Sequence, residues 1–347
     1  MLALPIAKPV QAIKPNTTSL LPLDQYHRIL VSYSGGKDSI ACILRLLDMG
    51  VRPEQIELWH QGIDGDGQGE EESLMDWPCT PQYVQITGQA LGIPVRCQWR
   101  DGGFEREMMR KDQPTGDVYF EDGDGKIVHL PTKRASNNTR RKFPQVSADL
   151  SVRWCSAYLK IDVFARALNN DPRFDGKKIL VVTGERRQEG KEGHGRAVYP
   201  ELEKHRCSRQ NRRVDQWRCV IDFTEQDVWD IIKRHRINVH AAYYLGWGRV
   251  SCLACIFGDK NQWASVRALT PKVFNRISQR EVEFGCTIKR GESVIEQANR
   301  GEDFVSDKPE RFKQLALGHI PYTVADFWTQ GEWELPAGAF KRCGGPS

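Results

Sequence analysis

Apolar residues recur along this chain with two periods, and each period marks an element. Residues 27–33 hold a short run with β-branched side chains, bounded by polar residues, and predict a buried strand. Just beyond it, Ile40, Ile43, Leu44 and Leu47 recur at helical spacing. Residues 55–60 (Gln-Ile-Glu-Leu-Trp-His) predict a second strand, 81–92 a helix and 93–99 a third strand. The stretch 117–130 alternates around Asp122-Gly123-Asp124-Gly125, the pattern of a hairpin. An amphipathic helix is expected within 151–168, and 177–184 is the clearest later strand. A short strand is expected at 220–223. Thr224 then opens a capping-box pattern, Thr-Glu-Gln-Asp, at the head of a helix over 225–235. Helices are expected over 262–284 and 292–300, with Pro271 suited to a helix start. Residues 61–72 read as a loop, 1–23 as a loose leader or surface arm, and 323–347 as a tail anchored by Trp328 and Trp333.

Composition narrows the class. With 347 residues, 39% hydrophobic and 27% charged, the chain can bury a sizeable core. It holds no apolar run of membrane-span length and no signal-peptide core, so the expected location is cytoplasmic. A net charge of +5 permits anionic ligands or nucleic acid without requiring them. Ten cysteines in such a chain argue for thiols, a metal or a cluster rather than a disulfide scaffold.

The densest chemistry sits between the first strand and the first helix: Ser34-Gly35-Gly36-Lys37-Asp38-Ser39. Glycines let backbone N–H groups approach an anion, and the following helix points its positive end at the same place. Lys37 adds a full charge, Ser34 and Ser39 can hydrogen-bond oxyanions, and Asp38 could help hold magnesium. The arrangement describes a polyphosphate cradle. It is not the Walker loop, whose first glycine lies five residues before the second. The plain alternative is an ordinary glycine-rich turn, which needs neither the lysine nor the serines.

In an open parallel sheet the ligand lies beyond the carboxyl ends of the strands. Trp59 and His60 are thereby placed for the nucleoside half of a ligand, or His60 is merely a strand-end residue. Gly184, Glu185 and Arg186 end the later strand on the same side, where an arginine grips phosphate or sulfate. Two basic stretches, 133–142 and 204–218, are either solvated faces or polyanion contacts. Cys252 and Cys255 form a Cys-x-x-Cys pair, half a metal site. Cys155 is the third candidate, and Cys207, Cys219, Cys286 and Cys343 compete for a fourth place. Zinc or a [4Fe–4S] cluster wants about four ligands, and three thiolates with an open position are also possible. Cys42 and Cys97 fall on core faces and read as small buried hydrophobes.

Ser-Gly-Gly-Lys-Asp-Ser after a strand resembles the loop of the PP-loop ATP pyrophosphatases, the adenine nucleotide alpha hydrolases. Together with Arg153-Trp154-Cys155-Ser156, Lys160, Thr183-Gly184-Glu185-Arg186, Asp227-Val228-Trp229 and residues 244–258, it resembles the phosphoadenosine phosphosulfate reductase family within that superfamily. Phage, mobile-element and DNA-phosphorothioation proteins are among the members it is similar to. The resemblance implies an α/β fold: a Rossmann-like parallel sheet with helices on both faces, an inserted hairpin and a mostly helical C-terminal extension. It implies an arm at 1–25, a nucleotide-binding domain over 26–235 and a cysteine-pair and helical region over 236–347.

Departures from the family pattern also matter. The loop keeps Lys37, which favours ATP itself over a sulfonucleotide. The reductases' catalytic tail is absent, Arg342-Cys343-Gly344 being a partial echo. Gly190 and Cys219 replace a common serine and proline. The implied activity is AMP-forming adenylylation of an acceptor coupled to sulfur transfer, with nucleic acid a possible acceptor. Lys37, Asp38 and Arg186 are its expected catalytic residues. Residues 34–39, His60, Gly184 and Glu185 would hold ATP with Mg2+. Cys155, Cys252 and Cys255, with Cys286 or Cys207 as fourth, would hold a [4Fe–4S] cluster or zinc. A cysteine desulfurase is the implied sulfur donor. The alternatives are a sulfonucleotide reductase or ATP sulfurylase-like adenylyltransferase, and a non-catalytic nucleotide-sensing or nucleic-acid-binding module.

Overall fold

The structure is a computed structural model and describes residues 19–66, 73–133, 135–190, 195–250 and 252–341. Most of the leader, part of the loop at 61–72, and Cys343 lie outside the described residues.

Eight strands form one sheet: β1 (Arg28–Ser32), β2 (Ile56–Gly62), β3 (Val95–Arg100), β4 (Val118–Glu121), β5 (Ile127–Leu130), β6 (Lys178–Val182), β7 (Leu202–Lys204) and β8 (Arg213–Trp217). Their order is β5-β4-β3-β2-β1-β6-β8-β7. The central five, β3-β2-β1-β6-β8, are parallel. The expected hairpin, β4–β5, adds antiparallel to one edge, and β7 adds antiparallel to the other. The chain steps outward from β1 to β2 and later returns to β6 on the opposite side. The carboxyl ends of β1 and β6 therefore flank the crevice where such sheets bind ligands.

Alternation along β1 divides the core. Ile29 and Val31 enter a large apolar cluster on one face, and Leu30 a smaller one on the other with Trp59, Phe164, Phe174 and Val181. Helix α1 (Lys37–Asp48) buries Ile40, Ile43 and Leu44 in the large cluster. Each such side chain contributes about 1.5–3 kcal/mol of burial. Helices α2 (Thr80–Leu91) and α3 (Gly103–Met109) follow.

Next come α4 (Trp154–Ser156), a π-helical turn at Ala157–Ile161 and α5 (Asp162–Asn170). Helix α6 (Glu225–Arg234) is capped as expected, with the Thr224 hydroxyl and Asp227 carboxylate closing a capping box. Six further helices follow among the described residues: α7 (Ala241–Leu245), α8 (Lys260–Leu269), α9 (Pro271–Phe284), α10 (Val294–Arg300), α11 (Glu310–Ala316) and α12 (Val324–Phe327). Residues from this region, among them Tyr243, Trp263, Phe274 and Phe327, join the large cluster. No helix of the described residues is long and apolar enough to cross a membrane.

Three local expectations need correction. The segment 220–223 is a turn, closed by Ile221 N–H to Arg218 O and Phe223 N–H to Val220 O. The helix expected over 262–284 is two, because Pro271 has no N–H to continue the first. The basic stretch 204–218 conceals β8. Three of its arginines are used internally, whereas Lys204, Arg206 and Arg209 remain exposed. Arg212 donates to Leu168 O and Asn169 Oδ1, Arg213 to Asp215, and Arg218 to Pro200 O and Glu203.

Candidate functional site

The loop 34–36 leaves the carboxyl end of β1 and turns straight into α1. Gly35 has φ +79°, a conformation that costs a side-chain-bearing residue energy, and Tyr83 and His240 wall the space beside it. Gly36 is the N-cap of α1 and offers no capping side chain, so the first turn keeps N–H groups for a ligand. Ser34 is exposed. The buried Ser39 hydroxyl donates to Gly36 O at 2.8 Å.

Lys37 is the centre of the constellation, 3% exposed. Its Nζ lies 3.3 Å from Gly248 O, 3.4 Å from Asp38 Oδ2 and 3.7 Å from Glu225 Oε1. Burial opposes its charge, but Asp38, Tyr243 and Glu225 outweigh burial and hold the ammonium protonated well above its ordinary range. Its own N–H donates to Tyr243 Oη at 2.9 Å, an oxygen that also accepts Val250 N–H at 3.3 Å. The C-terminal segment braces this wall: Gly338 N–H donates to Tyr243 O at 2.8 Å and Phe340 N–H to Glu225 Oε1 at 3.2 Å.

Across the crevice, β6 delivers Gly184 against α1. A Cβ at Gly184 would stand 3.0 Å from Asp38 C and 3.1 Å from Asp38 O, so a side chain there would force the helix start to give by a few tenths of an ångström. Arg186 Nε donates to Asp38 Oδ1 at 2.6 Å and Nη1 to Gln188 Oε1 at 2.7 Å. Burial alone would raise the Asp38 carboxyl, but Lys37 and Arg186 together hold it below the usual range. Both Asp38 oxygens are thus engaged by cations, which does not suit a direct magnesium ligand. Glu185 pairs with Arg218 at 3.7 Å.

His60 and Trp59 part company. Trp59 points into the smaller cluster against Phe164 and Phe174, with Nε1 on Glu57, so it does not face the nucleoside side. His60 is 4% exposed, with Nδ1 3.0 Å from Tyr33 O. Burial pushes its pKa down to about 4, so it is neutral. A ring nitrogen facing a carbonyl carries the proton, which leaves Nε2 as an acceptor. Nε2 is buried without a hydrogen-bond partner among the described residues. The ring lines a cleft of about 1160 Å³ at the carboxyl ends of β2 and β3.

The cysteines gather only in part. Cys155, Cys252 and Cys255 lie near enough for each to act on another's ionisation, and Lys160, on the π-helical turn, faces Cys155 and Cys252. Burial pushes the Cys155 and Cys252 thiols up, and Lys160 opposes it. Neither expected fourth partner joins them. Cys207 is buried in the smaller cluster beside Asn169, and Cys286 is exposed beyond α9. Among the described residues no group of three or more His, Cys, Asp or Glu is arranged to hold a metal ion. Among the described residues, then, no complete ligand set for a cluster or zinc is assembled. Cys42 is fully buried as expected, Cys97 half-buried at the cleft.

Sequence reasoning missed Tyr243 and Glu225 as loop partners. Glu225 was visible only as the residue after a helix cap, and Tyr243 only as part of the stretch leading to the cysteine pair.

Residues 123–257 match the family model described as the phosphoadenosine phosphosulfate reductase domain. Over those residues the chain is similar to that domain. The matched segment holds Arg153, Cys155, Gly184–Arg186 and the cysteine pair, and the loop at 34–39 lies ahead of it. The chain is 28% identical over 154 residues to an uncharacterised 37.8 kDa protein in the gpa 5′ region of Escherichia phage 186. That match spans 44% of this chain and 43% of the phage protein, less than half of either. Among solved structures, Candida glabrata FMN adenylyltransferase in complex with FMN and the ATP analogue AMPCPP aligns over 65% of this chain and 55% of its own. The TM-score is 0.35 at 11% identity, too slight a likeness to bear on function.

Proposed function

We propose that the protein is an AMP-forming ATP pyrophosphatase that adenylylates an oxygen of an acceptor so that sulfur can replace it. The observation that carries this reading is the buried, protonated Lys37 at the uncapped start of α1, directly beyond the end of β1. A cation desolvated there has no structural need that a neutral residue would not meet more cheaply.

ATP, as its magnesium complex, would place its outer phosphates over residues 34–39 and its nucleoside towards His60. The acceptor oxygen attacks the α-phosphorus, the bond to the α–β bridging oxygen breaks, and pyrophosphate leaves with that bond's electrons. The N–H groups of the loop, Ser34 and Lys37 stabilise the departing charge. Arg186, steadied by Asp38 and Gln188, faces the α-phosphate or the acceptor. Asp38 acts by positioning Arg186 and Lys37.

Cys155, Cys252 and Cys255 would serve as thiols. A persulfide sulfur received from a cysteine desulfurase displaces AMP from the acceptor. A second thiol then frees the sulfurated product as a disulfide forms between the two cysteines. No step runs through a metal cluster. Nucleic acid is the acceptor class we favour.

The test is ATP labelled in the α-phosphate, supplied with magnesium, full-length protein, single-stranded oligonucleotide, a thiol reductant, and cysteine with a cysteine desulfurase as sulfur source. AMP and pyrophosphate should form in equal amounts, and Lys37→Ala should abolish both. ATP binding without AMP under every acceptor tried, weakened but otherwise unchanged by Lys37→Ala, would instead mean a nucleotide-sensing module.

A further inference from the structure

Cations left exposed by the fold gather on the outer side of α5. This helix buries Phe164, Ala165 and Leu168 in the smaller cluster, and leaves Arg166 half-buried and Asn170 exposed. Two segments lie along its flanks. On one side, Arg166 Nη1 donates to Thr132 Oγ1 at 3.0 Å and Nη2 to Leu130 O at 2.9 Å, which ties the end of β5 and the exposed Lys133 to the helix. On the other, the His205 ring meets Phe164 at 6.0 Å. Arg206 Nη2 there donates to Ile161 O at 2.6 Å, and Arg209 Nε to Asn169 Oδ1 at 3.3 Å.

Neutral oxygens therefore hold these guanidiniums. Among the described residues no carboxylate forms an ion pair with Arg166, Arg206 or Arg209, and the Lys133 side chain has neither a hydrogen bond nor an ion pair. Nearby acids face cations of their own: Asp162 lies 2.5 Å from Arg100, and Asp175 lies 3.9 Å from Arg212. The exposed arginines are thus aimed without being neutralised. Anchoring costs rotamer entropy that a merely solvated arginine keeps. Spacing sets the size of the partner. Ile161 and Asn169 are eight residues apart, so Arg206 and Arg209 are anchored about 12 Å from one another along the axis. One small oxyanion cannot bridge that distance, whereas a strand of duplex nucleic acid carries a phosphate every ~3.4 Å of axis.

We propose that the outer side of α5, with Lys133 on one flank and Arg206 and Arg209 on the other, docks the phosphodiester backbone of nucleic acid. Arg166 adds its charge from the helix itself. The contacts are to phosphate, so they carry no sequence preference. Helix α5 continues from the π-helical turn that holds Lys160, so a polynucleotide lying along it is held outside the nucleotide loop. The surface does not depend on the pyrophosphatase reading.

The experiment follows a short fluorescein-labelled DNA duplex of mixed sequence by anisotropy as full-length protein is added at stepwise sodium chloride. Log affinity should fall linearly with log salt, with a slope of about −3 to −4 for four cations on phosphate. Arg206→Gln, Arg209→Gln and Lys133→Gln should each bring the slope about one nearer zero and weaken binding about two- to fivefold, whatever the sequence. Lys37→Ala should change neither. Slopes unmoved by the glutamine variants would overturn the surface. So would a loss in Lys37→Ala alone, which would put the polynucleotide at the nucleotide loop. Should an arginine variant not fold, Lys133→Gln decides, since that side chain holds nothing in place.

A second arm adds competitors. Displacement of the labelled duplex by unlabelled duplex far more effectively than by polyglutamate, charge for charge, would support a nucleic-acid face. Equal displacement by both would mean a face for any polyanion and would overturn the assignment. Loss of AMP formation with the salt slopes intact would sink the pyrophosphatase reading and leave the surface standing. AMP formation without salt-dependent duplex binding would do the reverse.

Discussion

Arg186 Nε lies 2.6 Å from Asp38 Oδ1, a bond that ties the segment after β6 to the first turn of α1. It aims the guanidinium by a single nitrogen and leaves the rest of the fork for Gln188 and a ligand. Lysine keeps the charge but not the fork. Arg186→Lys should therefore lower AMP formation by about 10–100-fold while ATP affinity changes much less. Single-turnover kinetics beside equilibrium nucleotide binding would separate the two, and a loss confined to binding would contradict this role.

Tyr243→Phe removes one oxygen that satisfies two N–H groups, those of Lys37 and Val250. Leaving them buried and unpaired should cost about 1–3 kcal/mol in urea unfolding. Nucleotide affinity should fall as well, because the same oxygen fixes the first N–H of α1. A variant as stable as wild type with unchanged ATP binding would show that water replaces the hydroxyl.

Gly184→Ala tests the close approach of β6 to α1. The new Cβ, 3.0 Å from Asp38 C, meets backbone that cannot swing aside. We expect a loss of about 1–3 kcal/mol and a larger proportional loss of ATP affinity, since the strain falls on the loop itself. Gly190→Ala, also tightly packed but one turn further on, should disturb stability with less effect on nucleotide.

Acid and base sides of the stability profile should carry opposite signatures. Burial, with Asp64 beside it, raises the Asp76 carboxyl from 3.8 to about 7. The folded chain thus holds a proton that the unfolded chain releases across that interval, so this group's stabilisation is lost as pH rises towards 7. Asp76→Asn should remove that decline, on the order of 4 kcal/mol. His60 and His240 act the other way. Burial pushes them down to about 4 and about 3, so the unfolded chain takes up protons first as pH falls below 6.5 and stability drops. Urea denaturation from pH 4 to 8 on wild type and Asp76→Asn would measure both. A difference that does not change with pH would refute the Asp76 assignment.

Anaerobically purified protein should be colourless and free of stoichiometric zinc, as three thiols with no fourth partner among the described residues imply. Cys155 and Cys252 should then react with a maleimide only slowly near neutral pH, because burial raises their thiols. A broad brown absorption with matching iron and sulfide, lost in Cys252→Ser, would show that the thiols rearrange around a cluster.

Much of this was legible in the chain. The run 27–33, the loop behind it and the strand 177–184 combine period, propensity and glycine placement in agreement, and each forms where expected. The hairpin around Gly125 was equally plain. What stayed hidden depended on long-range pairing. β8 reads as a basic surface because its arginines meet their carbonyls and carboxylates only after folding. Trp59 and His60 are neighbours in sequence, yet strand geometry sends them to opposite faces. Cys207 and Cys286 looked like ligands because spacing does not report which side of the sheet a residue occupies. Tyr243 and Glu225 reach Lys37 from about 200 residues away, a separation no local pattern encodes.

The contacts of Gly338 with Tyr243 and of Phe340 with Glu225 also bear on how the protein is born. Glu225 grips Lys37, so the wall around the loop closes only after the last described turn has docked. While that turn is still inside the ribosomal exit tunnel, the wall lacks its brace. The cradle would stay unfinished while β1 to β8 were already in place, and nascent protein would have no competent nucleotide site until synthesis had passed Phe340.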